Sequence, residues 1–234
     1  MYTQHFVGGR GGMLGGRRFE LSYHGELAGI SNTRPLFAAL VKGLVSSISD
    51  AGGRDVNIVN ATLIAKERGM AIDEKHVRDA PASTYASAVS LRSLGSDGGG
   101  EEQIIEGYVS GSSIFISKLD RFEANFHPEG TLLVLHNYDE PGKIGNVGLA
   151  LGKHGINITF MQVAGLNSKA KAAVEAAASS VAGSVADGPV EEGESGRLTK
   201  EALMILGVAG EVTNEVVDDL SKSEGILNVS LIRL

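Results

Sequence analysis

Cysteine is absent from this 234-residue chain, and with it go disulfides, thiol nucleophiles and thiolate metal sites. A cluster of iron and sulfur held by this chain alone is excluded on the same ground. The simplest home for such a chain is a reducing cytoplasm. Tryptophan is missing and aromatic residues make up only 5%, so any core must be aliphatic and rich in small side chains. No run approaches ~18 uninterrupted apolar residues, the length a spanning helix needs. Basic charge is short as well: the formal net charge is -7, whereas nucleic-acid binders present a basic face. The six histidines form no i, i+4 pair, and no metal site is expected. Ser112-Ser113 has no histidine base in register, so a serine nucleophile is not expected either.

Glycine is the one excess, with 32 residues, and it punctuates the chain. Residues 1–17 are glycine-rich and basic without apolar periodicity, and read as a flexible lead-in. Phe19, Leu21 and Tyr23 then alternate with Glu20 and Ser22, a strand pattern over 18–25. Asn32 or Thr33 can cap a helix with Pro35 in its first turn. The apolar positions of that helix, from Leu36 to Ile48, recur at three- and four-residue steps, and Gly52-Gly53 ends it. Asn60 caps a second helix over 61–68, closed by Gly69. Strands follow at 85–94, 101–109, 113–116 and 121–126, separated by glycine-rich turns. Residues 18–127 thus read as one α+β domain.

The turn cluster His127-Pro128-Glu129-Gly130 opens a second domain over 130–234. Its pattern is an apolar strand at 131–136, a helix at 143–155 and an alternating strand at 156–163. A strand at 203–208, a helix at 212–220 and a strand at 226–231 complete it. The helix should bury Ile144, Val147, Leu149 and Leu151, and the 156–163 strand should turn Ile156, Ile158 and Phe160 inward. The order βαββαβ is that of a ferredoxin-like fold. Residues 168–200 interrupt it with alanine, serine, glycine and an acidic tract, and read as a flexible insertion at a hairpin tip, where length costs little.

Between the first strand and helix of this domain lies Asn137-Tyr138-Asp139-Glu140-Pro141-Gly142. Free N–H groups at a helix start suit a carboxylate, Asp139 suits an ammonium group, and Asn157 can both donate and accept. Those complements belong to a small zwitterion such as a free amino acid. Asp139 could alternatively serve as a helix cap.

This run, with Gly155-Ile156-Asn157-Ile158 after it, resembles the ACT-domain signature. Upstream, Val56-Asn57-Ile58-Val59-Asn60-Ala61 and Ala65-Lys66-Glu67-Arg68-Gly69 resemble the allosteric substrate-binding domain of long-form D-3-phosphoglycerate dehydrogenase, as does Gly25-Glu26-Leu27. The resemblance implies the C-terminal regulatory half of such an enzyme, a homo-oligomer through ACT edges that binds L-serine in serine biosynthesis. By position, Asn137, Asp139, Pro141, Gly142 and Asn157 fall on its effector site. Asn137 departs from the His or Tyr common there. Lys118, Arg121 and His127 are the nearest cations to the family's anion site. The family's NAD-binding Rossmann domain has no counterpart: Gly8-Gly9-Arg10-Gly11-Gly12 is neither preceded by a strand nor followed by a helix. No catalytic residue and no cofactor is therefore expected in this chain, and NAD is implied only for the family's catalytic domain. The two-domain layout also resembles the beta subunit of L-serine dehydratases, without its Ser-rich opening motif, and a purely structural dimerisation module is the third reading.

Overall fold

A computed structural model of the chain describes residues 1–6, 17–46, 48–49, 51–78, 85–94, 103–166 and 200–234. It has α+β architecture and divides into two compact units, one of Met1–Asp120 with Asn125–Pro128, the other of Arg121–Ala124 with Glu129–Leu234.

In the first unit a short helix α1 (Tyr2–Phe6) precedes β1 (Arg18–Gly25), α2 (Arg34–Ser46) and α3 (Ala61–Glu67). Strands β2 (Ala71–Val77), β3 (Ser87–Leu94), β4 (Gln103–Ser110) and β5 (Ser113–Leu119) follow; β6 (Phe122–Phe126), divided between the two units after Ala124, is the last strand in the sheet order β2-β1-β3-β4-β5-β6. Helix α2 starts as its residues dictate. The Thr33 carbonyl accepts from Phe37 N–H at 2.9 Å and Pro35 occupies the first turn. It ends at Ser46, well before the expected stop at Gly52. Val41, Leu44 and Val45 of α2, Ala61 and Ala65 of α3, Phe19 of β1 and Leu91 of β3 form one buried core. Tyr2 joins that core and donates to Gln103 at 2.9 Å. The expected flexible lead-in is therefore corrected at its start: residues 1–6 include a helix packed by an aromatic anchor, and residues 7–16 lie outside the described ones.

Strand β2 was not expected at all. It runs parallel to β1, Phe19 opposite Ile72 and Tyr23 opposite His76. The stretch Ala71-Ile72-Asp73-Glu74-Lys75-His76-Val77 carries charge on both faces, because it is an edge strand left mostly in solvent. Charges at an edge also discourage pairing with further chains.

The second unit consists of β7 (Thr131–Tyr138), α4 (Lys143–Lys153), β8 (Asn157–Gly165), β9 (Glu201–Ala209), α5 (Asn214–Ser221) and β10 (Ile226–Arg233). The antiparallel sheet has the order β10-β7-β9-β8, the βαββαβ topology anticipated. The unbroken apolar run of β7 suits its central place between β10 and β9, with Leu132, Leu133, Val134 and Leu135 all buried. The expected insertion falls almost wholly on residues 167–199, outside the described ones.

Two packing expectations change. In α4 the inward face is Lys143, Val147 and Leu151, spaced by four, while Ile144 and Leu149 are exposed. In β8 the register slips between Ile158 and Phe160. That bulge breaks strict alternation, so Ile158 and Met161 pack on the core and Phe160 is 39% exposed.

Candidate functional site

The last residues of β7 carry the chain from a buried strand into the turn before α4. Asn137 sits on the same face of β7 as Leu133 and Leu135, the face packed by the helices. It is 2% exposed, and its Nδ2 donates to the Tyr138 carbonyl at 2.8 Å. Its Oδ1 is buried and has no hydrogen-bond partner among the described residues. A buried amide oxygen left so is costly, by about 1–3 kcal/mol.

Beyond Tyr138 the backbone leaves the sheet. Asp139 N–H donates to the Lys200 carbonyl, and Glu140 N–H to the Tyr138 carbonyl at 3.0 Å. Gly142, at φ +90°, is the capping position of α4, and its carbonyl accepts from Asn146 N–H at 2.9 Å. Only glycine adopts that left-handed backbone freely. Among the described residues no side chain caps the helix, so the alternative role for Asp139 falls away. Asp139 and Pro141 are exposed, and the N–H groups of Ile144 and Gly145 have no intrahelical acceptor. The junction thus offers an outward carboxylate beside free N–H donors, which can receive an ammonium and a carboxylate respectively.

Asn157 opens β8 and is exposed, but at the other end of the sheet. The register runs through β9. Asn137 and Gly165 both stand opposite Ala202, whereas Asn157 stands opposite Ala209. From Ala202 to Ala209 the strand covers roughly 23 Å at ~3.3 Å per residue. One copy of the chain therefore brings Asn137, Asp139, Pro141 and Gly142 together and leaves Asn157 apart. Among the described residues β8 pairs over its own length only with β9 and is a sheet edge.

The three cations do not assemble within either unit. Lys118 lies on β5 opposite Glu106, and His127 stands edge-on to Phe115 at 5.7 Å, both in the first unit. Arg121 belongs to the second unit, where its guanidinium pairs with the Glu201 carboxylate. Glu201 is 5% exposed, and His136 Nε2 lies 2.8 Å from the same oxygen, its ring edge-on to Phe122. The charge of Arg121 is thereby neutralised inside its own unit, which corrects the expectation that it is available to an external anion.

Sequence reasoning missed Lys143. It is the first residue of α4 and is buried, with Nζ donating to the Glu224 carbonyl at 2.8 Å and lying 3.2 Å from the Glu140 carboxylate. The signal was there to read, since a cation at a helix start opposes the dipole.

Among the described residues no helix is long and apolar enough to cross a membrane. Comparison with known proteins places the chain. Residues 16–113 match the model of the D-3-phosphoglycerate dehydrogenase intervening domain. A protein named D-3-phosphoglycerate dehydrogenase from Methanocaldococcus jannaschii is 30% identical over 217 residues, covering 93% of this chain and 34% of its own length. One of the same name from Archaeoglobus fulgidus is 29% identical over 223 residues, 94% of this chain and 35% of its own. The Synechocystis protein of that name is 36% identical over 155 residues, 65% of this chain and 27% of its own. The chain thus spans between 27% and 35% of the length of these relatives. With an intervening domain followed by an ACT-like βαββαβ unit, the chain is similar over most of its length to the C-terminal portion of D-3-phosphoglycerate dehydrogenase.

Proposed function

We propose that this chain senses a free amino acid, L-serine, at a contact between two copies of its second unit, as the feedback element of a cytoplasmic phosphoglycerate dehydrogenase of serine biosynthesis. The observation that carries the reading is the placement of polar groups on one sheet. The Asp139 loop with its buried Asn137 lies at one end, Asn157 lies at the other, and the edge strand β8 runs between those levels. Antiparallel pairing of two β8 edges about a two-fold axis sets the Asn157 end of one copy level with the Gly165 end of the other. That is also the level of the partner's Asn137. A site split between subunits makes ligand binding and association mutually dependent, so the ligand acts on whatever the pairing controls.

Chemistry supports the ligand class. Asp139 pairs with the ammonium group, the free N–H groups at the start of α4 receive the carboxylate, and the asparagines offer donors and acceptors to a hydroxyl. Exposed Ile144, Leu149, Phe160 and Val163 supply apolar surface for the second copy. Calorimetric titration with L-serine, paired with sedimentation at several protein concentrations, tests both halves. Saturable heat at millimolar ligand or below, with association strengthened by the ligand, is expected; no heat and no shift in assembly would overturn the reading.

A further inference from the structure

Lysine is an ill-suited opening residue for a helix. The N–H groups at a helix start carry partial positive charge that disfavours a cation, and burial of an ammonium adds a desolvation cost. Lys143 nonetheless opens α4 and is 9% exposed. Its Nζ reaches the Glu224 carbonyl at 2.8 Å and the Glu140 carboxylate at 3.2 Å. The side chain lies so close across Gly225 that a Cβ there would come within 2.4 Å of Nζ. The Gly225 carbonyl in turn accepts from Tyr138 N–H at 2.9 Å. Tyr138, Gly225, Glu224, Lys143 and Glu140 therefore close a ring of contacts around the loop that carries Asp139, Pro141 and Gly142.

Two of the three ammonium donors are occupied. Of the partners only Glu140 is charged, and its side chain is 43% exposed, so solvent weakens that pair. A buried cation, with a donor left over among the described residues, thus opens the helix whose first N–H groups are free. We propose that Lys143 is the specificity-determining residue of this site, selecting ligands that bear a free carboxylate. The inference rests on the amino-acid-binding reading above. Asp139, exposed in the same turn, takes the ammonium end, so the pair of opposite charges distinguishes a zwitterion from a simple cation or anion.

The experiment compares L-serine with L-serinamide, in which a neutral amide replaces the carboxylate, by calorimetry on the whole chain. The unmodified chain is expected to prefer L-serine by about tenfold or more, the scale of one charge-assisted contact. Lys143→Met keeps the volume of the stem and is expected to bring the two affinities together, while Lys143→Arg restores the preference. Glu140→Gln, at an exposed position, frees the ammonium from its only charged partner and should widen the preference. A lysine with a merely structural role would weaken both ligands in parallel. An unchanged ratio in Lys143→Met, or a narrowed one in Glu140→Gln, would overturn the inference and leave amino-acid binding standing. Should Lys143→Met fail to fold, Glu140→Gln decides alone. If the unmodified chain binds neither ligand, both readings fall.

Discussion

At the scale of single residues, two positions are held in ways that make their replacement measurable. Tyr23 is fully buried, and its hydroxyl donates to Glu74 at 2.7 Å, where Thr33 also donates at 2.8 Å. Burial, and then the adjoining Glu74 carboxylate, push the phenol well above its ordinary value of 10.0. The folded phenol therefore keeps its proton where the unfolded one has lost it. Its contribution to stability is full below about pH 10 and is lost as pH rises through the raised value. Tyr23→Phe is expected to cost about 1 kcal/mol at neutral pH, since Glu74 keeps the Thr33 donor. It should also flatten the alkaline loss of stability relative to the unmodified chain. Denaturant unfolding at neutral pH and above pH 10 checks both; equal alkaline slopes would refute the assignment. Gly225 is the second case. At φ +79°, with Lys143 against it, it cannot accept a side chain without strain. Gly225→Ala is expected to lower stability by about 1–3 kcal/mol, read as a lower denaturant midpoint at unchanged slope.

At the scale of elements, the connection into α3 shows how a motif legible in sequence acquires a physical meaning. Asn57 Oδ1 accepts from Val59 N–H at 2.8 Å and Asn60 N–H at 3.1 Å. Asn60 Oδ1 accepts from Asn57 N–H at 2.7 Å, and its Nδ2 donates to the Asp55 carbonyl at 2.7 Å. The two asparagines thus stitch the loop to itself rather than capping the helix by a side chain. Asn60→Ala removes both of its own bonds and is expected to cost about 1–2 kcal/mol, with Asn60→Asp in between because it keeps the acceptor. Faster amide exchange at Asn57 in the alanine variant, ahead of global unfolding, is the matching local readout.

Legibility followed burial. Strands β1 and β7 and the first turn of α2 could be read from sequence because apolar periodicity and Pro35 reported their surroundings directly. Strand β2 could not, since an exposed parallel edge needs no apolar alternation. The bulge in β8 hid the true inward set, replacing Phe160 by Met161. The candidate loop was legible residue by residue. Its distance from Asn157 was not, because strand order and register are set by pairing through β9, which periodicity does not encode.

At the scale of the whole molecule, the proposed site depends on the edge β8. Among the described residues, 157–165 have a ladder partner on one side only, and Phe160 and Val163, each 39% exposed, lie on that strand. An apolar edge of this kind is an aggregation liability unless something covers it. In the proposed pairing a second copy would remove the liability and join the two ends of the sheet into one polar site. Phe160→Asp puts a charge into that contact without touching Asn137, Asp139 or Asn157, and because Phe160 is partly exposed the fold should tolerate it. The expected result is a stable monomer, with an unfolding midpoint that no longer depends on protein concentration. L-serine binding should be weakened by at least about tenfold although every ligand-facing residue is intact. A variant that turns monomeric yet binds L-serine with unchanged affinity would place the whole site within one copy, against the separation of Asn137 from Asn157 along β9.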